Sequence, residues 1–202
     1  MNGGTCITGF MENAMLITHE REKIINAIIF FAKNVKHLGK IKLFKLLYFL
    51  DFEHFKETGR SVTGLDYYAW KMGPAPAALF DEIEAPEPDM QKSIRFTNVM
   101  TEHGTKMLTI KARVAFNKSH FTAREMRLME RLAGEYKDTL AEGMIEKTHL
   151  ENLPWYKVYM IEKNPRGKIP YEYSLPEHEE EAMLKIISER NEFIDALRNT
   201  NA

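Results

Sequence analysis

Apolar residues crowd the stretch Ile41 to Pro74 more densely than any amphipathic surface pattern requires. From Leu43 to Leu50 the only charged residue is Lys45. Leu43, Leu46, Leu47 and Leu50 form one helical face, and Phe44, Tyr48, Phe49 and Phe52 cover most of the rest. A surface helix keeps an apolar stripe and a polar side, so this one belongs inside a core or under a partner. Charged Lys42, Lys45, Asp51 and Glu53 bracket the run too closely for a membrane span. The pattern predicts a central helix from about Lys40 to Lys56, closed by Gly59. Before it, Ile24, Ile25, Ile28, Ile29, Phe31, Ala32 and Val35 recur at helical spacing and predict a helix over Arg21 to His37. Gly39 is the expected left-handed cap of that first helix. The short link between the two favours antiparallel packing.

Beyond Gly59 the period changes. Leu65 to Met72 is aromatic-rich and reads as a short strand, and Gly73-Pro74-Ala75-Pro76 is expected to interrupt regular structure. Pro76 suits the start of the next helix, Ala77 to Glu84, with Leu79, Phe80 and Ile83 inward. Glu84 to Asp89 reads as a rigid polar connector. Ser93 to Met100 and Met107 to Val114 alternate apolar and polar residues around Glu102-His103-Gly104-Thr105, a β-hairpin pattern. Such a hairpin is marginal alone and should lie on the helical core. Three capping boxes, Thr122 with Glu125, Thr139 with Glu142, and Ser174 with Glu177, precede apolar runs. They predict helices over Ala123 to Lys137, Leu140 to Thr148 and Pro176 to Arg198, with a further short helix near Pro154. Asn164-Pro165-Arg166-Gly167 reads as a turn, followed by an extended Lys168 to Tyr173. The class is mainly α (α+β): a compact helical bundle with a small β-hairpin or short antiparallel sheet packed on it. Residues 21–202 form one domain in this reading, after a loose leader, residues 1–20, in which Met11 or Met15 could be the natural start.

Composition adds limits rather than direction. With 202 residues, 44% apolar and 28% charged, the chain is a globular protein with room for a real core. Its formal net charge of -1 provides no global field for nucleic acid. The single cysteine, Cys6, rules out an internal disulfide framework and makes a reducing, cytoplasmic setting the default. No stretch reaches transmembrane length and no signal-peptide layout is present.

Candidate chemistry is sparse. Seven scattered histidines form no HExxH, and there is no GxSxG and no phosphate-binding glycine loop. Asp51 and His54, with Glu57 following, could share a helix face and hold a metal, but that spacing also describes a wet helix edge. His149 at a helix end could cap carbonyls or line a groove. Cys6 has no histidine placed to activate it. Lys42 and Lys45 fit a solvated edge, or stems packed on apolar surface. Tyr68 and Trp70 share a strand face, as core or as interface anchors. The twelve methionines are core filler or an adaptable surface. No catalytic set assembles and no cofactor is indicated, which points to a binding module rather than an enzyme.

The central stretch resembles a known family. Lys42-Leu-Phe-Lys45-Leu-Leu-Tyr48-Phe-Leu-Asp51 is similar to the KLxKLLYfxD signature of the Panacea domain, the SocA-like antitoxin domain of bacterial and phage toxin–antitoxin systems. The likeness continues through Gly59, Tyr68-Ala-Trp70, Gly73-Pro74 and Phe80, then through Thr148-His149 and Trp155, spanning about Ile24 to Trp155. Ala75-Pro76 departs from the β-branched residue common after Gly-Pro, and the Ser93–Val114 insert need not follow the family. The resemblance implies an antitoxin that binds and neutralises a cognate toxin encoded by an adjacent gene. A proteolytic adaptor, with a protease as second partner, is the alternative; a small metal-dependent hydrolase on Asp51, His54 and His149 is a third reading. Neither a membrane nor nucleic acid is an expected partner, and homo-oligomerisation stays open. The candidate partner-binding set is Lys42, Lys45, Tyr48, Asp51, Tyr68, Trp70, Gly73, Pro74, His149 and Trp155.

Overall fold

The computed structural model describes residues 20–100, 106–150 and 153–200. Residues 1–19 of the expected leader, Cys6 among them, and the hairpin loop expected at Glu102–Thr105 lie outside the described residues, while Glu20, counted in the leader, begins the first helix. The chain is mainly helical, with two small antiparallel two-stranded sheets. At its centre is α2 (Lys40–Thr58), with Leu43, Leu46, Leu47 and Leu50 fully buried and Phe44, Phe49, Phe52 and Phe55 nearly so. Each such side chain removed from water contributes roughly 1.5–3 kcal/mol, and this is why the helix needs no polar face. Gly59 ends it at φ 68°, with its N–H on the Phe55 carbonyl. A side chain there would meet Ile187, which packs over this turn from the last helix.

Helix α1 (Glu20–Asn34) buries Ile25, Ile28, Ile29, Phe30 and Phe31 against the core. The left-handed residue after it is His37, at φ 53°, not the expected Gly39. Gly39 is extended and serves as N-cap of α2; a Cβ there would stand 3.3 Å from the Leu108 carbonyl. What favours a glycine at that position is this close approach, not a left-handed turn.

Strand β1 (Tyr67–Trp70) pairs antiparallel with β2 (Gly73–Pro76) across Lys71-Met72. Gly-Pro-Ala-Pro was expected to exclude regular structure, and the pairing corrects that. Ala69 opposes Pro74, and Tyr67 opposes Pro76. Ala69 uses its N–H and C=O on Gly167 and Arg166, and the Tyr67 carbonyl accepts from Ile169. Both prolines therefore sit opposite residues whose hydrogen bonds run the other way, so no ladder bond misses a donor.

Helix α3 (Ala77–Glu84) leads to α4 (Pro88–Ser93), a short helix where a connector was expected. Arg21 clamps both to α1, donating to Glu82 at 2.8 and 2.5 Å and to Asp89 at 2.8 and 2.7 Å. The second sheet is β3 (Ile94–Met100) paired with β4 (Lys106–Ala112) in the register Phe96 to Ile110. Ile94 and Ile110 face the core while Arg95 and Lys111 face solvent, as the alternation predicts.

Of the capping boxes only the first forms. Thr122 and Glu125 reciprocate at the start of α5 (Ala123–Glu135). Leu140, not Thr139, caps α6 (Ala141–Thr148), and Ser174 sits in a 3-10 turn with its hydroxyl donated to the Tyr171 carbonyl. That turn, Tyr171–Ser174, also replaces the end of the expected extended segment. The Asn164–Gly167 turn is present, closed by Gly167 N–H on the Asn164 carbonyl. Helix α7 (Pro154–Tyr156) continues into a π-helical turn, Lys157–Ile161, and α8 (Glu177–Thr200) closes the described chain.

Candidate functional site

The signature residues collect at two ends of α2. At its C-terminal half Asp51 is fully buried. Its carboxylate accepts from the Val62 N–H (2.8 Å), the Thr63 N–H (2.7 Å), the Thr63 hydroxyl (2.5 Å) and the Tyr67 hydroxyl (2.7 Å). Burial pushes its pKa up to about 6 against the downward pull of these donors. Asp51 thus organises the loop that leads into β1. His54 turns elsewhere, its Nδ1 2.7 Å from the Arg60 carbonyl. Among the described residues no three His, Cys, Asp or Glu side chains converge as metal ligands.

At the other end stands Lys45, only 2% exposed, donating to the Pro74 carbonyl at 2.9 Å. Desolvation draws its pKa down to about 7. Gly73, at φ 93°, lies against it: a Cβ there would sit 2.6 Å from Lys45 Nζ and 2.8 Å from Thr148 Oγ1. Glycine is therefore dictated by both backbone and space. Thr148 spends its hydroxyl on the Met144 and Ile145 carbonyls of its own helix. Next to it, His149 stacks on Trp155 with ring centroids 3.8 Å apart and planes 6° from parallel. Tyr159, in the π-helical turn, stacks on Trp155 at 4.7 Å. The Trp155 indole N–H reaches the Trp70 carbonyl at 2.9 Å and ties this stack to the β1–β2 turn.

Two buried polar atoms here have no hydrogen bond of good geometry: the Tyr48 hydroxyl, which faces the Trp155 backbone amide, and His149 Nε2. Burial, and then the Lys45 charge, hold the His149 pKa below its ordinary value.

The expected set therefore divides by depth. Lys42, Lys45, Tyr48, Asp51, Gly73, Pro74 and Trp155 are buried, while Tyr68, Trp70 and His149 are half-buried. Lys42 spans two junctions, donating to the Lys36 carbonyl at 2.8 Å and the Lys137 carbonyl at 3.2 Å. Sequence reasoning missed Tyr67 and Thr63, the partners of Asp51, and Tyr159 in the stack. Strand alternation separates Tyr67 from Tyr68 but does not say which side faces inward. Close in the chain to these residues are exposed apolar side chains: Met72 (50% exposed) in the β1–β2 turn, Leu150 (57%) after His149, and Met160 (50%) and Ile161 (65%) after Tyr159.

No helix among the described residues is long and apolar enough to cross a membrane. No curated protein and no solved structure matches the chain. The family model described as "Antitoxin SocA-like, Panacea domain" matches residues 43–156, more than half of the chain. The match opens inside α2 rather than at Ile24, and it closes just after Trp155, so it encloses Lys45, Asp51, Gly73, Thr148, His149 and Trp155. By that match the chain belongs to the SocA-like antitoxin family, through its Panacea domain.

Proposed function

We propose that the chain is an antitoxin that neutralises a cognate protein toxin by direct contact, acting in the cytoplasm as a single domain over residues 21–202. The observation that carries the reading is the exposure of Met72, Leu150, Met160 and Ile161, each within two residues in the chain of Trp70, His149 or Tyr159 at the Trp155 stack. Exposed large apolar side chains near aromatic residues are common at the core of a protein interface. The methionines among them adapt to differently shaped partners. The buried signature residues hold that surface in shape, and Trp70, Tyr68 and His149 are their points of access to a partner.

Co-expression with the product of the adjacent gene tests the proposal. The wild-type chain rescues growth and co-purifies with that product. Leu150→Asp combined with Met160→Asp keeps the wild-type Tm but loses both rescue and complex. Rescue by this double variant would remove the surface from the mechanism, and absence of any wild-type complex would remove the function. Toxin half-life is measured alongside, because direct neutralisation leaves it unshortened whereas delivery to a protease shortens it.

A further inference from the structure

The β3–β4 ribbon has an open edge and an unbalanced charge that the proposed toxin contact does not use. Arg113 N–H donates to the Ser93 carbonyl at 2.9 Å, which fixes the phase of the ladder. Arg95 with Lys111 and Thr97 with Thr109 are then the hydrogen-bonded pairs. The N–H and C=O groups of Phe96 and Asn98 point away from β4, and among the described residues nothing pairs with them. Phe96 and Asn98 line a groove of about 340 Å³ together with Ile83 and Pro86. Arg95 and Arg113 also line it.

Elsewhere several of the described cations meet an acid. Arg21 meets Glu82 and Asp89, Lys23 meets Glu125, Lys36 meets Asp138, Lys40 meets Glu84, and Lys168 meets Asp66. On the ribbon, Arg95 and Lys111 are directly opposite one another, a like-charge pair that costs stability. Neither they nor Arg113 joins an ion pair among the described residues, and Glu84 at the groove is already engaged by Lys40.

We propose that the β3 edge takes up an extended acidic segment of another polypeptide as an added strand. Main-chain bonds to Phe96 and Asn98 would hold it. A strand docked there presents alternate residues to the two sides of the sheet. Acidic residues then fall beside Arg95, Lys111 and Arg113, and apolar ones fall against Phe96, Ile83 and Pro86. The fitting partner therefore alternates acidic and aliphatic residues.

The test uses the full chain without toxin, so its failure leaves the Leu150 and Met160 surface untouched. A short fluorescein-labelled peptide of alternating Val and Glu is titrated by anisotropy, with a Val/Lys peptide and a short DNA duplex as competitors. Hydrogen exchange of the Phe96 and Asn98 amides is followed by NMR. The Val/Glu peptide binds, slows exchange at both amides, and is displaced by neither competitor. Asn98→Pro deletes an outward N–H that the ladder does not use, and weakens binding roughly tenfold or more. Arg95→Glu with Arg113→Glu keeps the edge but shifts preference to the Val/Lys peptide, which preserves the test should the proline variant lose Tm. Unprotected amides, or binding indifferent to both variants, overturn the proposal. Displacement by the duplex overturns it too, by assigning the cations to a phosphate backbone.

Discussion

Six residues apart on one helix, Lys45 and Asp51 are both buried ions, and the molecule treats them in opposite ways. Asp51 receives four hydrogen bonds from three residues of a neighbouring segment. Lys45 donates one, to a proline carbonyl, and has an unbonded Tyr48 hydroxyl and His149 Nε2 in its neighbourhood. A buried charge with its donors complete ties the donor segments together, and its desolvation is partly offset by fixed dipoles. One that is incompletely bonded keeps much of its desolvation cost, and its surroundings stay electrostatically soft. The Asp51 end fixes the loop into β1. The Lys45 end is where the signature approaches the surface.

The most severe way to break that contrast is Asp51→Ala. It strands the Val62 and Thr63 amides and the Tyr67 hydroxyl in the interior, and unfolding in urea should show a loss of about 3–5 kcal/mol. Gly73→Ala strikes the other end, where a left-handed φ and contact with Lys45 and Thr148 coincide. A loss of about 2–4 kcal/mol is expected on unfolding in urea.

Titration separates the two ends by sign. Asp51 has its folded pKa raised to about 6, so its contribution is complete below the ordinary carboxylate range and is lost as pH rises through about 6. Lys45 has its folded pKa lowered to about 7, so its contribution is complete above its ordinary value and is lost as pH falls through about 7. Between about pH 7.5 and 9.5 stability should therefore climb with pH by up to about 1.4 kcal/mol per unit. In Lys45→Met that climb should disappear; a slope unchanged from wild type would show that Lys45 is not the titrating group. Trp155→Phe deletes the indole N–H from the Trp70 carbonyl while leaving a ring to stack. A loss of about 1 kcal/mol is expected, with a larger proportional loss of toxin binding. The smallest effect is Tyr48→Phe. Removing a buried hydroxyl with no hydrogen bond of good geometry should leave the unfolding free energy unchanged or raise it slightly, by no more than about 1 kcal/mol. A marked loss would place a hydrogen bond on that hydroxyl.

Much of this architecture is legible in residue order, and the places where it is not share a cause. The all-round apolar run at Leu43–Leu50 announced a central helix, and Thr122 with Glu125 announced the start of α5. The same capping pattern failed at Thr139 and Ser174, because neighbouring turns took those helix starts one or two residues onward. Gly-Pro-Ala-Pro looked incapable of pairing, since the phase of its ladder is set by Arg166, Gly167 and Ile169, far along the chain. The left-handed residue after α1 is His37 rather than Gly39, whose extended backbone starts α2 against the Leu108 carbonyl.

By itself the sequence determined the family signature, the central helix, the alternating ribbon and the absence of any local catalytic motif. These follow from short-range periodicity and residue chemistry, which adjacent positions carry in full. Only the tertiary structure decided that Asp51 closes a loop, that Lys45 lies under Gly73 and Pro74, and that His149, Trp155 and Tyr159 stack into one unit. Those outcomes depend on contacts between residues far apart in the chain, whose geometry is set by how the helices and strands pack.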